Sequence, residues 1–74
     1  MMIGNWYEVW VDDSSGNPYL LIVSHAPEST SHFVVIDPKE GYRIIHRSND
    51  YEEIKLWLLE DEYSMVDGRM IVGE

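Results

Sequence analysis

The chain contains no cysteine. That absence removes disulfides, thiolate nucleophiles and cysteine-ligated zinc together. It also removes the usual stabiliser of small secreted domains, so a reducing, cytoplasmic setting is expected. Positive charge is scarce. Five Lys and Arg stand against fourteen Asp and Glu, a net charge of −9 over 74 residues. A surface this acidic repels phosphate backbones and anionic lipid, so neither direct nucleic-acid binding nor membrane binding is expected. Long apolar runs are missing too. The longest, Tyr19 to Val23, falls far short of the ~20 residues of a membrane-spanning helix. No basic stretch followed by an apolar one opens the chain, so no signal peptide is expected. The five glycines are scattered, which leaves no phosphate-binding loop, and no Gly-x-Ser-x-Gly elbow occurs.

What is present is an apolar fraction of 45%, enough for one small domain over residues 1–74. Such a domain buries only roughly 60% of the surface its unfolded chain exposes. A catalytic cavity would consume much of that core. An enzyme is therefore not expected, and no catalytic or cofactor-binding residue is assigned.

The pattern predicts an α+β fold: a four-stranded antiparallel meander followed by one C-terminal helix packed on one face. Trp6–Asp12 is aromatic and β-branched, and reads as the first strand. Turn formers follow from Asp13 to Pro18. Tyr19–His25 is the second strand, apolar on both faces and so central. The polar stretch from Ala26 to Ser31 is a loop, and His32–Ile36 is the third strand. Asp37-Pro38-Lys39-Glu40-Gly41 is a turn, with Pro where φ is fixed and Gly where φ is positive. Tyr42–Arg47 is the fourth strand, with Arg43, Ile45 and Arg47 on one face and Tyr42, Ile44 and His46 on the other. Short connections imply a meander.

Ser48, Asn49 and Asp50 are N-cap candidates, and Glu52 and Glu53 suit the first turn of a helix. Tyr51, Ile54, Trp57 and Leu58 share the face that would cover the sheet. Two endings fit. Leu56, Leu59, Tyr63, Val66 and Met70 recur at spacings of three and four, which would carry the helix to Gly68. Alternatively it stops near residue 62, with Asp67-Gly68 as a hairpin turn. The early end is preferred, with residues 69–72 a short extra strand. In the first strand Tyr7, Val9 and Val11 are expected to face the core, and Trp6, Glu8 and Trp10 to face out. The expected core is completed by Leu20, Ile22, Val34, Ile36, Ile44, Ile54 and Leu58.

Candidate chemistry is sparse. His25, His32 and His46 are the residues from which a metal site could be built, with Glu28 as a spare carboxylate. Their spacing matches no compact histidine motif, and no metal site is expected. Asp12–Asn17 resembles a calcium loop, but counted from Asp12 the sixth and twelfth places lack the required Gly and Glu. Ser24-His25 and Ser31-His32 are adjacent, yet strand neighbours point to opposite faces, which argues against a nucleophile–base pair. Tyr51-Glu52-Glu53-Ile54 resembles a phosphotyrosine ligand of SH2 domains over four residues, but its place at a helix start conflicts with the extended form of such ligands.

Charge is segregated. Residues 48 to 67 carry seven acids against Lys55 alone. A small acidic protein-interaction module is therefore the leading expectation: an inhibitor, antitoxin, immunity-type or accessory protein for a basic protein partner. Trp6 and Trp10 would be its apolar anchors, and Glu60, Asp61 and Glu62 its steering charges. A homo-oligomer, closing the sheet face that one helix leaves open, is the alternative. A small histidine-based metal protein or enzyme is a more distant one.

Overall fold

The structure, a computed structural model, describes residues 6–14, 16–25 and 32–71. It is an α+β fold. Strands β1 (Trp6–Asp12), β2 (Tyr19–His25), β3 (Phe33–Asp37), β4 (Arg43–Ser48) and β5 (Ser64–Ile71) form one sheet in the order β4-β3-β2-β1-β5. All four pairings are antiparallel. The helix α1 (Tyr51–Glu60) packs on one face. Among the described residues no helix is long and apolar enough to cross a membrane.

The first four strands follow the expected meander. The Asp37 turn is a short 3-10 segment, Pro38–Glu40, closed by Gly41 at φ 73°. The Asp37 carboxylate accepts from the Lys39 amide at 3.0 Å, and its carbonyl accepts from the Tyr42 amide at 2.9 Å. The helix starts where the carboxylate of Asp50 accepts from the Glu52 amide, satisfying a donor that the first turn leaves open.

The helix ends early because its C-terminal carbonyls are satisfied by chain reversal. The Glu62 amide donates to Leu59 and the Tyr63 amide to Leu58, each at 3.0 Å. This is a Schellman arrangement, with Glu62 at φ 66° in the left-handed position that glycine usually fills. The chain then returns as β5 beside β1. The sheet thus has five strands, not four, and the expected segment 69–72 is part of a strand that begins at Ser64 (Val72 lies outside the described residues). Asp67-Gly68 is not a hairpin turn. Tyr7 pairs with Met70 and Val9 with Val66, so the segment is a bulge in one continuous strand, with Gly68 at φ 121°.

A second bulge corrects the reading of β4. Val35 pairs with His46 but Ile36 with Ile44, so Ile45 is the extra residue. Alternation slips by one there. Arg43, opposite Asp37, and Arg47, opposite Val34, therefore lie on different faces, whereas Ile45 and His46 both turn toward α1.

The face assignment of β1 and β2 is reversed from expectation. The face under α1 carries Trp6, Trp10, Leu21, Val23 and Val35, joined by Ile54 and Leu58. Trp6 and Trp10, expected to face out, are 9% and 2% exposed, and Glu8 between them is buried too. Strand alternation separates two faces but does not say which one a helix will cover. Two indole rings remove more apolar surface from water than the valines opposite. Of the expected core, Val34, Ile36, Ile54 and Leu58 are buried, Val9, Val11, Ile22 and Ile44 are half-buried, and Leu20 is exposed.

Candidate functional site

Glu8 is the residue whose burial most needs an explanation, because a buried charge is costly unless paired. Its Oε1 accepts from Trp10 Nε1 at 3.1 Å and its Oε2 from Arg69 Nε at 3.1 Å. The Tyr51 hydroxyl is shared between both oxygens, at 2.9 and 2.7 Å. The Arg69 guanidinium lies over the Trp6 ring, 3.8 Å from its centroid. One cluster thus ties β1, the first residue of α1 and β5 together. Burial and donation to Glu8 push the Tyr51 phenol up to about 12, against the lowering influence of Arg69. The Tyr51 phenol stays protonated at neutral pH and is a fixed donor to both Glu8 oxygens. The cluster is a structural lock. The sequence carried a signal for it: Glu8 sits at two-residue spacing between two tryptophans on one strand face.

The histidines divide into two places. His25 and His32 stack with centroids 6.5 Å apart, beside Phe33. His46 lies on Trp57, with centroids 4.3 Å apart, and its Nε2 meets the Glu53 carboxylate at 3.2 Å. Among the described residues no three His, Asp or Glu converge as a metal cage. Glu28 lies outside the described residues. Ser24 donates to the Trp6 carbonyl at 3.1 Å from the face opposite to His25. Ser31 lies outside the described residues. Tyr51 opens α1 and Ile54 is fully buried, so this four-residue stretch is helical and packed.

The surface with unexplained features is the outer face and C-terminal end of α1. Leu56 and Leu59 point away from the sheet and are 61% and 50% exposed. Glu52 and Glu60 flank them on the same exposed side, and Asp61 and Glu62 follow, also exposed. No base lies in the last turn. Among the described residues the ion pairs engage Glu8, Glu40 and Glu53, so Glu52, Glu60, Asp61 and Glu62 have none. The expected steering acids are therefore together and accessible, but Trp6 and Trp10 are not beside them at the surface. The leucines are. Their spacing of three was visible in the sequence, where it served equally well to suggest a longer helix.

No protein-family model, curated protein or solved structure matches the chain.

Proposed function

We propose that the protein is a small acidic protein-interaction module, of the inhibitor, antitoxin, immunity-type or accessory kind, that presents the outer face of α1 to a basic partner. The observation that carries this is a coincidence of three locally unfavourable choices on one surface. Two leucines face water. Glu60, Asp61 and Glu62 crowd the negative end of the helix dipole, where bases are favoured. Glu62 occupies a left-handed position where glycine is preferred. Among the described residues no ion pair offsets the three acids, and local rules are most often broken where function requires it. An apolar pair rimmed by carboxylates suits a segment with its own apolar residues and flanking Lys or Arg, drawn in by charge and held by desolvation. The lack of cysteine supports a cytoplasmic setting.

A variant that repairs the surface tests this. Leu56→Gln, Leu59→Gln and Glu62→Gly together should preserve or raise the melting temperature while abolishing recovery of the basic partner from host extract. Equal recovery of that partner with the repaired variant would sink the assignment.

A further inference from the structure

We propose that Tyr42 is an aromatic anchor for the same basic partner, so that the contact surface runs from the outer face of α1 across the adjoining end of the sheet to the turn before β4. This rests on the reading of α1 above. Among the described residues two that are not glycine take a positive φ, Tyr42 at 63° and Glu62 at 66°. A bulky side chain is unfavourable there because its Cβ crowds the following carbonyl. What the turn needs from position 42 is an amide, which donates to the Asp37 carbonyl at 2.9 Å. Every residue except proline supplies one. The Tyr42 side chain is 50% exposed and makes no hydrogen bond, ion pair or ring contact among the described residues. The fold thus carries a strained tyrosine whose ring faces water, and strain of this kind gathers where function requires it.

Both left-handed residues lie at one end of the sheet. Asp12 stands opposite Tyr19 there, and the Tyr19 hydroxyl donates at 2.7 Å to Asp37, where the turn begins. Val11 stands opposite Ser64, which brings Glu62 and Tyr63 to the same end. The two edges of the sheet are four strand intervals apart, about 19 Å. An ordinary interface of about 800 Å² per partner is roughly 30 Å across, so one partner reaches Tyr42 and the end of α1 together. Charge at this end suits that partner. Lys39 is held over the Tyr19 ring, 5.2 Å from its centroid, and Arg43 meets Glu40 at 3.4 Å. Asp12, Asp61 and Glu62 have no ion pair among the described residues. Burial, followed by the nearby Asp12, Asp37 and Asp61, pushes the Tyr63 phenol up, in keeping with a negative potential there. Tyrosine is among the residues that most often dominate binding energy. Trp6 and Trp10 are enclosed under α1, and Tyr42 takes the place expected of them.

Two measurements on the full chain test this. The first needs no partner. Tyr42→Asn replaces the ring with a residue that tolerates the left-handed region, so it should melt at or above the wild-type temperature. A clearly lower melting temperature would show that the ring serves the fold, and would overturn the proposal. The second uses the protein that a photo-crosslinking residue in place of Leu56 captures, identified by mass spectrometry and then purified. Calorimetric titration of that protein should show Tyr42→Asn weakened at least about tenfold, and Tyr42→Phe close to wild type. The loss in Tyr42→Asn should persist at high salt, whereas the loss in Glu60→Gln should shrink. Wild-type affinity in Tyr42→Asn, with binding lost in Leu56→Gln, would confine the contact to α1. It would overturn the anchor and leave the reading of α1 standing. Failure of position 56 to capture any protein would overturn both.

Discussion

Arg69 reaches back across 61 positions of chain to donate its Nε–H to Glu8 at 3.1 Å. The contact joins the last strand to the first through a carboxylate that is otherwise enclosed. Because Arg69 is half-exposed and Glu8 is not, the two ends should respond unequally. Arg69→Met leaves the buried Glu8 carboxylate without its counter-ion, which should cost about 3–5 kcal/mol. Glu8→Gln removes the buried charge, keeps an oxygen for the Trp10 and Tyr51 donors and leaves the half-exposed guanidinium to water, so the loss should be smaller, about 1–2 kcal/mol. Urea unfolding of both variants measures the ratio. Equal losses would mean that the buried charge of Glu8 does not depend on Arg69.

Alkaline pH should loosen the same cluster. Burial and donation to Glu8 raise the Tyr51 phenol to about 12, and donation to Asp37 raises Tyr19 to about 12, each from the ordinary phenol value of 10.0. A raised value means that the fold favours the protonated form. The stabilisation is complete below pH 10 and is lost as pH rises from 10 toward 12. Melting temperature followed across that window should fall, and the fall should be smaller in Tyr51→Phe. A profile that is flat to pH 12 would contradict the assignment.

Core substitutions should now divide by face. Ile54 is fully buried under the tryptophans, so Ile54→Ala should cost about 2–5 kcal/mol. Leu20 is exposed, so Leu20→Ala should change the stability of the monomer by about 0.5 kcal/mol or less at low protein concentration. Denaturation midpoints of the two variants decide whether the face under α1 is the principal core.

That division also marks what the sequence could convey. Four strands, the Asp37 turn and the helix from Tyr51 were legible because each rests on local chemistry: β-branched runs, a Pro and Gly at fixed offsets, an aspartate at a cap. The face that α1 covers was not legible, because Trp6 and Val9 are both acceptable core residues and the choice is made by Tyr51 and Arg69, 43 and 61 positions from Glu8. The fifth strand was hidden by its bulge at Gly68, where alternation breaks. Glu62 in the left-handed position hid the stop of the helix, since no glycine announced it. For the site, the acids could be named from composition alone. The exposure of Leu56 and Leu59 became visible only once Ile54 and Leu58 were seen to take the sheet.

Glu62→Gly is the simplest check on the claim that local stability is sacrificed on this surface. Glycine removes the side-chain clash of the left-handed position and one acid from the helix end, and the added backbone freedom of the unfolded chain offsets part of the gain. A net stabilisation of about 0.5–1 kcal/mol is expected. A destabilised variant in urea would mean that Glu62 makes a compensating contribution and that no local cost is present.

The outer face of α1 is proposed to receive a basic partner. A photo-crosslinking residue in place of Leu56, activated in the native host, tests it with the fewest assumptions, because mass spectrometry of the linked peptides reports both the occupant and its composition. The expected products are peptides from another protein, rich in Lys and Arg, with a yield that falls as salt rises in extracts. Equal labelling from a site on the opposite face, or linked peptides without an excess of basic residues, would contradict it.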